Sequence, residues 1–226
     1  MAEVLALVEA RLLTALGAPD ARAAVTFLGT DRIEVLRFRA DDVRGGGDDA
    51  HGDGTGGSGG SGGDGTGGGG AGGGIVRYAT LGMSAHPMAD PTAVVADPVK
   101  GPRAELVLSV RSGLAETDRV LRPLAVLAAS PQVEGVVVAP GASLDVGEAL
   151  WPGAPFTSVL VGEAGGLVDD LELDAPLDAV RFLPLLPMTP NEAAWKRVHG
   201  AQALQERWLS HGTDLRDPLR ASVPLD

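Results

Sequence analysis

The chain has 226 residues, no cysteine, 4% aromatic residues and a formal net charge of −12. That length suits one domain or two small ones, with a sizeable core resting on Leu, Val and Ala. The missing cysteine excludes disulfides, thiolate metal sites and a cysteine nucleophile, and the acidic balance makes nucleic acid an unexpected partner.

Val4, Leu5, Val8, Leu12 and Leu16 recur at helical spacing, so the pattern predicts an amphipathic helix over 2–16, closed by Gly17 and Pro19. Acids sit inside that apolar pattern and no basic leader precedes it, so the segment does not read as a signal peptide. Strands are predicted at 23–28 and 33–39, joined by a turn at Gly29-Thr30-Asp31. Residues 45–74 hold 19 glycines, with Ser, Thr and Asp as filler. Such a stretch buries too little apolar surface to offset its ordering entropy, so it is expected to be a disordered insertion.

Further strands are predicted at 75–82 and 104–111, and a helix over 117–129 with Val120, Leu121, Leu124 and Leu127 as its stripe and Pro131 as its stop. Short strands follow at 135–139, 157–162 and 180–186, the last bounded by Pro184 and Pro187. Thr189-Pro190-Asn191-Glu192 is a capping box with Pro at the first helical position. It opens a predicted helix over 190–210, with Ala194, Val198, Ala201, Leu204, Gln205 and Trp208 near one face and Gly200 weakening its middle. Strands cluster instead of alternating with helices. The expected fold is therefore a single α+β domain, a mostly antiparallel or mixed sheet flanked by helices, made of residues 1–44 and 75–226 around the insertion at 45–74. No apolar run reaches membrane-spanning length, and a cytoplasmic protein is expected.

The search for chemistry yields little. Matches to a phosphate-binding glycine pattern, such as Gly54, Gly56 and Gly59, fall in low-complexity sequence and follow no strand. His51, His86, His199 and His211 lack metal-ligand spacing, so no metal or other cofactor is expected. Gly82-Met83-Ser84-Ala85-His86 places a serine near a histidine but is not a nucleophile elbow, and no nucleophile, base and orienting group can be named together. The acids Asp169, Asp170, Glu172 and Asp174 read as a solvated face.

Three stretches together resemble the Suppressor of fused family domain. They are Tyr78-Ala79-Thr80-Leu81-Gly82-Met83-Ser84, the Glu105-Leu106 strand, and Arg181 through Pro187 to Glu192. The resemblance implies an α+β fold, no enzymatic activity, and a protein partner. The eukaryotic member is a two-domain adaptor that restrains a transcription factor, and this chain resembles its N-terminal domain, without the interdomain cleft used there. Bacterial members are similar to immunity proteins that sequester a cognate toxin. Matching positions are Tyr78, Gly82, Ser84, Glu105, Pro187 and Glu192, of which Tyr78, Ser84 and Glu105 are the candidates for partner binding. The alternative is a hydrolase using Ser84 or a carboxylate pair. The sequence names neither the partner nor the oligomeric state.

Overall fold

The computed structural model describes residues 2–26, 31–40, 74–88 and 97–225. Residues 45–73 of the expected insertion at 45–74, and residues 29–30 of the expected turn at 29–31, lie outside these residues. The described chain folds as a single α+β domain around one mixed sheet of seven strands, in the order β1-β2-β3-β4-β7-β6-β5. The strands are β1 (Ala21–Val25), β2 (Ile33–Ala40), β3 (Ile75–Leu81), β4 (Arg103–Arg111), β5 (Ser143–Asp145), β6 (Ser158–Val161) and β7 (Val180–Met188). Neighbours run antiparallel except β4 and β7, which are parallel. Ala40 pairs with Ile75, so the sequences on either side of the glycine-rich stretch join in one hairpin of that sheet.

Alternation along the strands divides the core. Ile33 and Val35, Val76 and Tyr78, Leu106 and Leu108, and Leu183 and Leu185 face α2 (Leu121–Glu134). On the opposite face, Leu36, Phe38, Ala79 and Phe182 meet α1 (Ala2–Leu16) through Val4, Val8 and Leu12. Farther along that face, Leu160 and Met188 meet α3 (Pro190–His199) and α4 (Ala201–Ser210) through Ala193, Leu204 and Trp208.

Several expectations are corrected, each for a local reason. Pro131 does not end α2. It lacks the N–H that would bond the Leu127 carbonyl, and the Ser130 hydroxyl occupies that carbonyl instead, at 2.8 Å. The helix runs on to a left-handed cap at Gly135. A short 3-10 turn, Thr117–Val120, precedes it. Residues 135–139 form no strand, while β5, which was not expected, lies just beyond them.

Pro184 and Pro187 lie inside β7 and do not bound it. The Pro184 carbonyl accepts from Gly162, beyond the end of β6, so its missing N–H costs no ladder bond. Pro187 turns toward β4 past the last paired residue of that strand, where its carbonyl accepts from Arg220 at 2.6 Å. The capping box forms as read, with Thr189 and Glu192 bonding each other's backbone N–H. The helix it opens breaks at Gly200, whose φ is 90°, and Val198 stands 78% exposed, off the buried face.

Candidate functional site

β3 ends in a turn that only glycine can make. Gly82 has φ 133°, and a Cβ added there would lie 2.8 Å from the Arg32 carbonyl oxygen. One 3-10 turn, Met83–Ala85, follows. Beneath it lies the fully buried carboxylate of Glu105, from β4. Thr80 Oγ1 donates to Glu105 Oε2 at 2.6 Å, and the Gly82 N–H, the Ser84 N–H and Ser84 Oγ donate to Oε1 at 2.9, 3.0 and 2.6 Å. A buried charge is tolerable when donors surround it, and three of these four are supplied by the turn that it organises, the fourth by the end of β3. Arg103 holds the same turn from its other side, donating to the Ser84 and Ala85 carbonyls at 2.8 and 3.0 Å. The Ser84 hydroxyl is thus buried against a carboxylate. His86, two residues on, bonds Asp31 at 2.7 Å. Serine and histidine do not meet.

Tyr78 belongs to a second network. Its hydroxyl donates to Asp118 Oδ1 at 2.7 Å and shares a 2.9 Å bond with Thr117 Oγ1. Arg37, its cross-strand partner, also bonds Asp118, and it grips Asp20 with two nitrogens at 2.8 and 3.1 Å. Burial pushes the Tyr78 phenol well above its ordinary range, the bond from Thr117 opposes this, and the Asp118 carboxylate adds to it. Burial also disfavours the Asp118 charge, but the bonds from Arg37 and Tyr78 outweigh it and hold that carboxyl below the usual range. The network floors a cleft of about 600 Å³ bordered by Arg39, Glu116 and Arg119. Tyr78, Ser84 and Glu105 are all 0% exposed, so none of the three side chains reaches the surface.

A further feature was not legible in the sequence. Among the described residues, β5 is the last strand of the sheet and pairs only with β6. The Val161 N–H bonds the Ala142 carbonyl and the Val146 N–H bonds the Thr157 carbonyl. By antiparallel alternation, Ser143 and Asp145 turn their N–H and C=O groups outward. Beside this free edge a cleft of about 310 Å³ opens between β5 and α2, lined by Val126, Leu127, Val136, Val137 and Leu144. Val126 and Val137 are exposed on its rim. Three residues are too few to show period-two alternation, which is why β5 escapes sequence reading.

The sequence profile of the Suppressor of fused protein (SUFU) family matches residues 69–221. The chain belongs to this family. The matched SUFU region contains both strands that carry Tyr78 and Glu105, all of α2, the β5 edge and the α3–α4 hairpin. A SUFU homolog from Neisseria gonorrhoeae FA 1090 has a similar crystal structure, with a TM-score of 0.63 and 16% identity over 100% of both chains. A chain of the Sufu–Fu complex crystal structure matches at a TM-score of 0.57 and 11% identity, over 98% of this chain and 91% of that one. Drosophila Suppressor of Fused matches at 0.54 and 11%, over 97% of this chain but 50% of its own. At these identities the likeness shows the SUFU fold. No curated protein sequence matches the chain. Among the described residues no cluster of His, Cys, Asp or Glu is placed to hold a metal ion, and no helix is long and apolar enough to cross a membrane.

Proposed function

We propose that this chain is a non-enzymatic, cytoplasmic protein-binding module that sequesters a partner, of the immunity or adaptor type, with a cognate toxin as the partner class. Family membership supports the reading, as does the Sufu–Fu complex, in which a protein of this fold is seen with a protein partner. The observation that carries it is the β5 edge. An unpaired strand edge beside an apolar cleft is the physical requirement for capturing an extended segment, with main-chain bonds giving affinity and the cleft selecting a side chain. Ser143 and Asp145 offer the main-chain groups, and Val126, Val137 and Leu144 receive the apolar side chain.

Tyr78, Ser84 and Glu105 serve binding from beneath in this reading. Glu105 and Ser84 fix the turn after β3, and Tyr78 fixes Asp118 at the cleft beyond it.

Co-expression with the products of the neighbouring genes, a toxin being the expected one, tests the reading. Wild type is expected to rescue growth and co-purify with the toxin. Ser143→Pro, which removes an outward N–H, and Val137→Glu, which charges the cleft, are expected to lose both while melting normally. Full rescue by both variants would refute the β5 edge as the site, and no rescue by wild type would refute the toxin.

A further inference from the structure

The α3–α4 hairpin carries a surface that neither the β5 edge nor the buried networks use. Only the first turn of α3 is buried, through Glu192 and Ala193. Lys196, Arg197 and His199 fill its last turn, Arg207 lies in the last turn of α4, and His211 follows. On a chain of net charge −12, this hairpin gathers three of the cations and two of the four histidines. Its carboxylates are the buried Glu192, which pairs with Arg220, and Glu206, which bonds Gln202 at 3.0 Å.

Lys196 and Arg197 form no ion pair among the described residues. Burial and the neighbouring Arg197 charge both press Lys196 below its ordinary value, as expected where cations crowd without a counter-ion. Beside them, the half-buried Trp195 indole stacks on His199 at 4.1 Å, and the Arg207 guanidinium lies 5.7 Å from its centroid. Val198 is 78% exposed. The helix dipole favours cations at a C-terminal turn, but it accounts for neither the exposed valine nor the indole at the surface.

We propose that this face of α3 and α4 docks an acidic segment of a protein partner. The segment's carboxylates pair with Lys196 and Arg197, and an apolar side chain of the segment covers Val198 and the Trp195 edge. Charge complementarity selects the partner: this is a positive face on a negative molecule, which attracts acidic chains while the acidic surface elsewhere repels them. The inference does not rest on the β5 reading.

The test uses the full chain and fluorescence anisotropy with a labelled peptide rich in Glu and Leu. The controls are the same peptide with Lys for every Glu, and single-stranded RNA as a generic polyanion. Wild type is expected to bind the acidic peptide far more tightly than RNA and more weakly as salt rises, whereas any binding of the lysine peptide should not fall in Lys196→Glu/Arg197→Glu. Lys196→Glu/Arg197→Glu should lower that affinity by about tenfold or more, whereas Arg119→Glu/Arg122→Glu, an equal charge change around the start of α2, should alter it by less than about twofold. Trp151 and Trp208 are buried, so acrylamide quenching reports Trp195, and the peptide should shield it. Ser143→Pro should bind the peptide as wild type does, which separates this outcome from failure of the β5 edge. Absence of binding by wild type, equal losses in both double variants, or equally tight binding of RNA would each overturn the proposal.

Discussion

Arg220 grips Glu192 through two parallel hydrogen bonds, Nη1 to Oε1 at 2.7 Å and Nη2 to Oε2 at 2.9 Å. The same carboxylate accepts from the Trp208 indole, the Thr189 N–H and the Val223 N–H, while the guanidinium lies over the Phe156 and Trp208 rings. A residue that caps α3 therefore also fastens the segment after α4 onto β7. Burial disfavours the Glu192 charge, but Arg220 and the other donors outweigh it and hold the carboxyl below its usual range.

Removing one member of this pair leaves the other charged and buried. Glu192→Ala is expected to cost about 3–5 kcal/mol, and Glu192→Ala/Arg220→Met to recover part of that loss. Urea unfolding of the two singles and the double gives the coupling. Additive losses would show that the pair contributes nothing beyond its separate contacts.

The Glu105 clamp makes a different demand. Glu105→Gln keeps the shape but points an amide N–H₂ at donors, leaving buried groups unsatisfied at a cost of about 2–3 kcal/mol. Ser84→Ala removes one donor among four and should cost about 1 kcal/mol. Thermal melting ranks the two, and an equal cost would show that Glu105 is not the organiser of the turn.

Gly82→Ala should destabilise by about 1–3 kcal/mol, because it combines an unfavourable φ with a Cβ pressed on the backbone of Arg32. Gly113→Ala is the control. It shares a positive φ but has open space around it, so strain alone remains. Equal shifts in melting temperature would show that the close approach to Arg32 is unimportant.

Acid should loosen the join between the end of β4 and the segment after α4. Burial disfavours the Asp214 charge, but hydrogen bonds from Arg216 and Arg111 dominate and hold its carboxyl at about 2. The folded value lies below the unfolded one. Its contribution is therefore whole above about pH 4 and lost as pH falls toward 2. Stability measured across that window should fall less steeply in Asp214→Asn than in wild type.

Shortening the β2–β3 connection should leave the fold intact. Ala40 and Ile75 are cross-strand partners, so a short hairpin loop can replace residues 45–70, and a shorter loop lowers closure entropy slightly. A fall in melting temperature of more than a few degrees would show that the connection packs.

The sequence disclosed the elements whose signals are long and repeated. The apolar stripe of α1, the alternation of β2 and the capping box of α3 needed nothing beyond local chemistry. The failures came where a tertiary partner overrode a local rule. Pro131 stays helical because Ser130 supplies the missing donor. Pro184 and Pro187 stay in β7 because each faces a place where the neighbouring ladder has run out. The motif residues Tyr78, Ser84 and Glu105 were visible, but their burial was not, since a carboxylate with four donors looks the same in sequence as one in water. The β5 edge was hidden by its brevity, and Gly200 broke a helix that propensity alone would only have weakened.

The single parallel pairing in the sheet constrains how this chain can be made. β4 is rich in Leu and Val, and one of its edges is closed only by β7, which follows α2, β5 and β6 in the sequence. During synthesis the β1–β4 meander can form early, yet it must carry an unprotected apolar edge until β7 leaves the ribosome. Nascent chains stopped before Val180 should therefore be claimed by chaperones or aggregate, and codon choices that slow translation between β4 and β7 should lower the yield of folded protein without changing a residue.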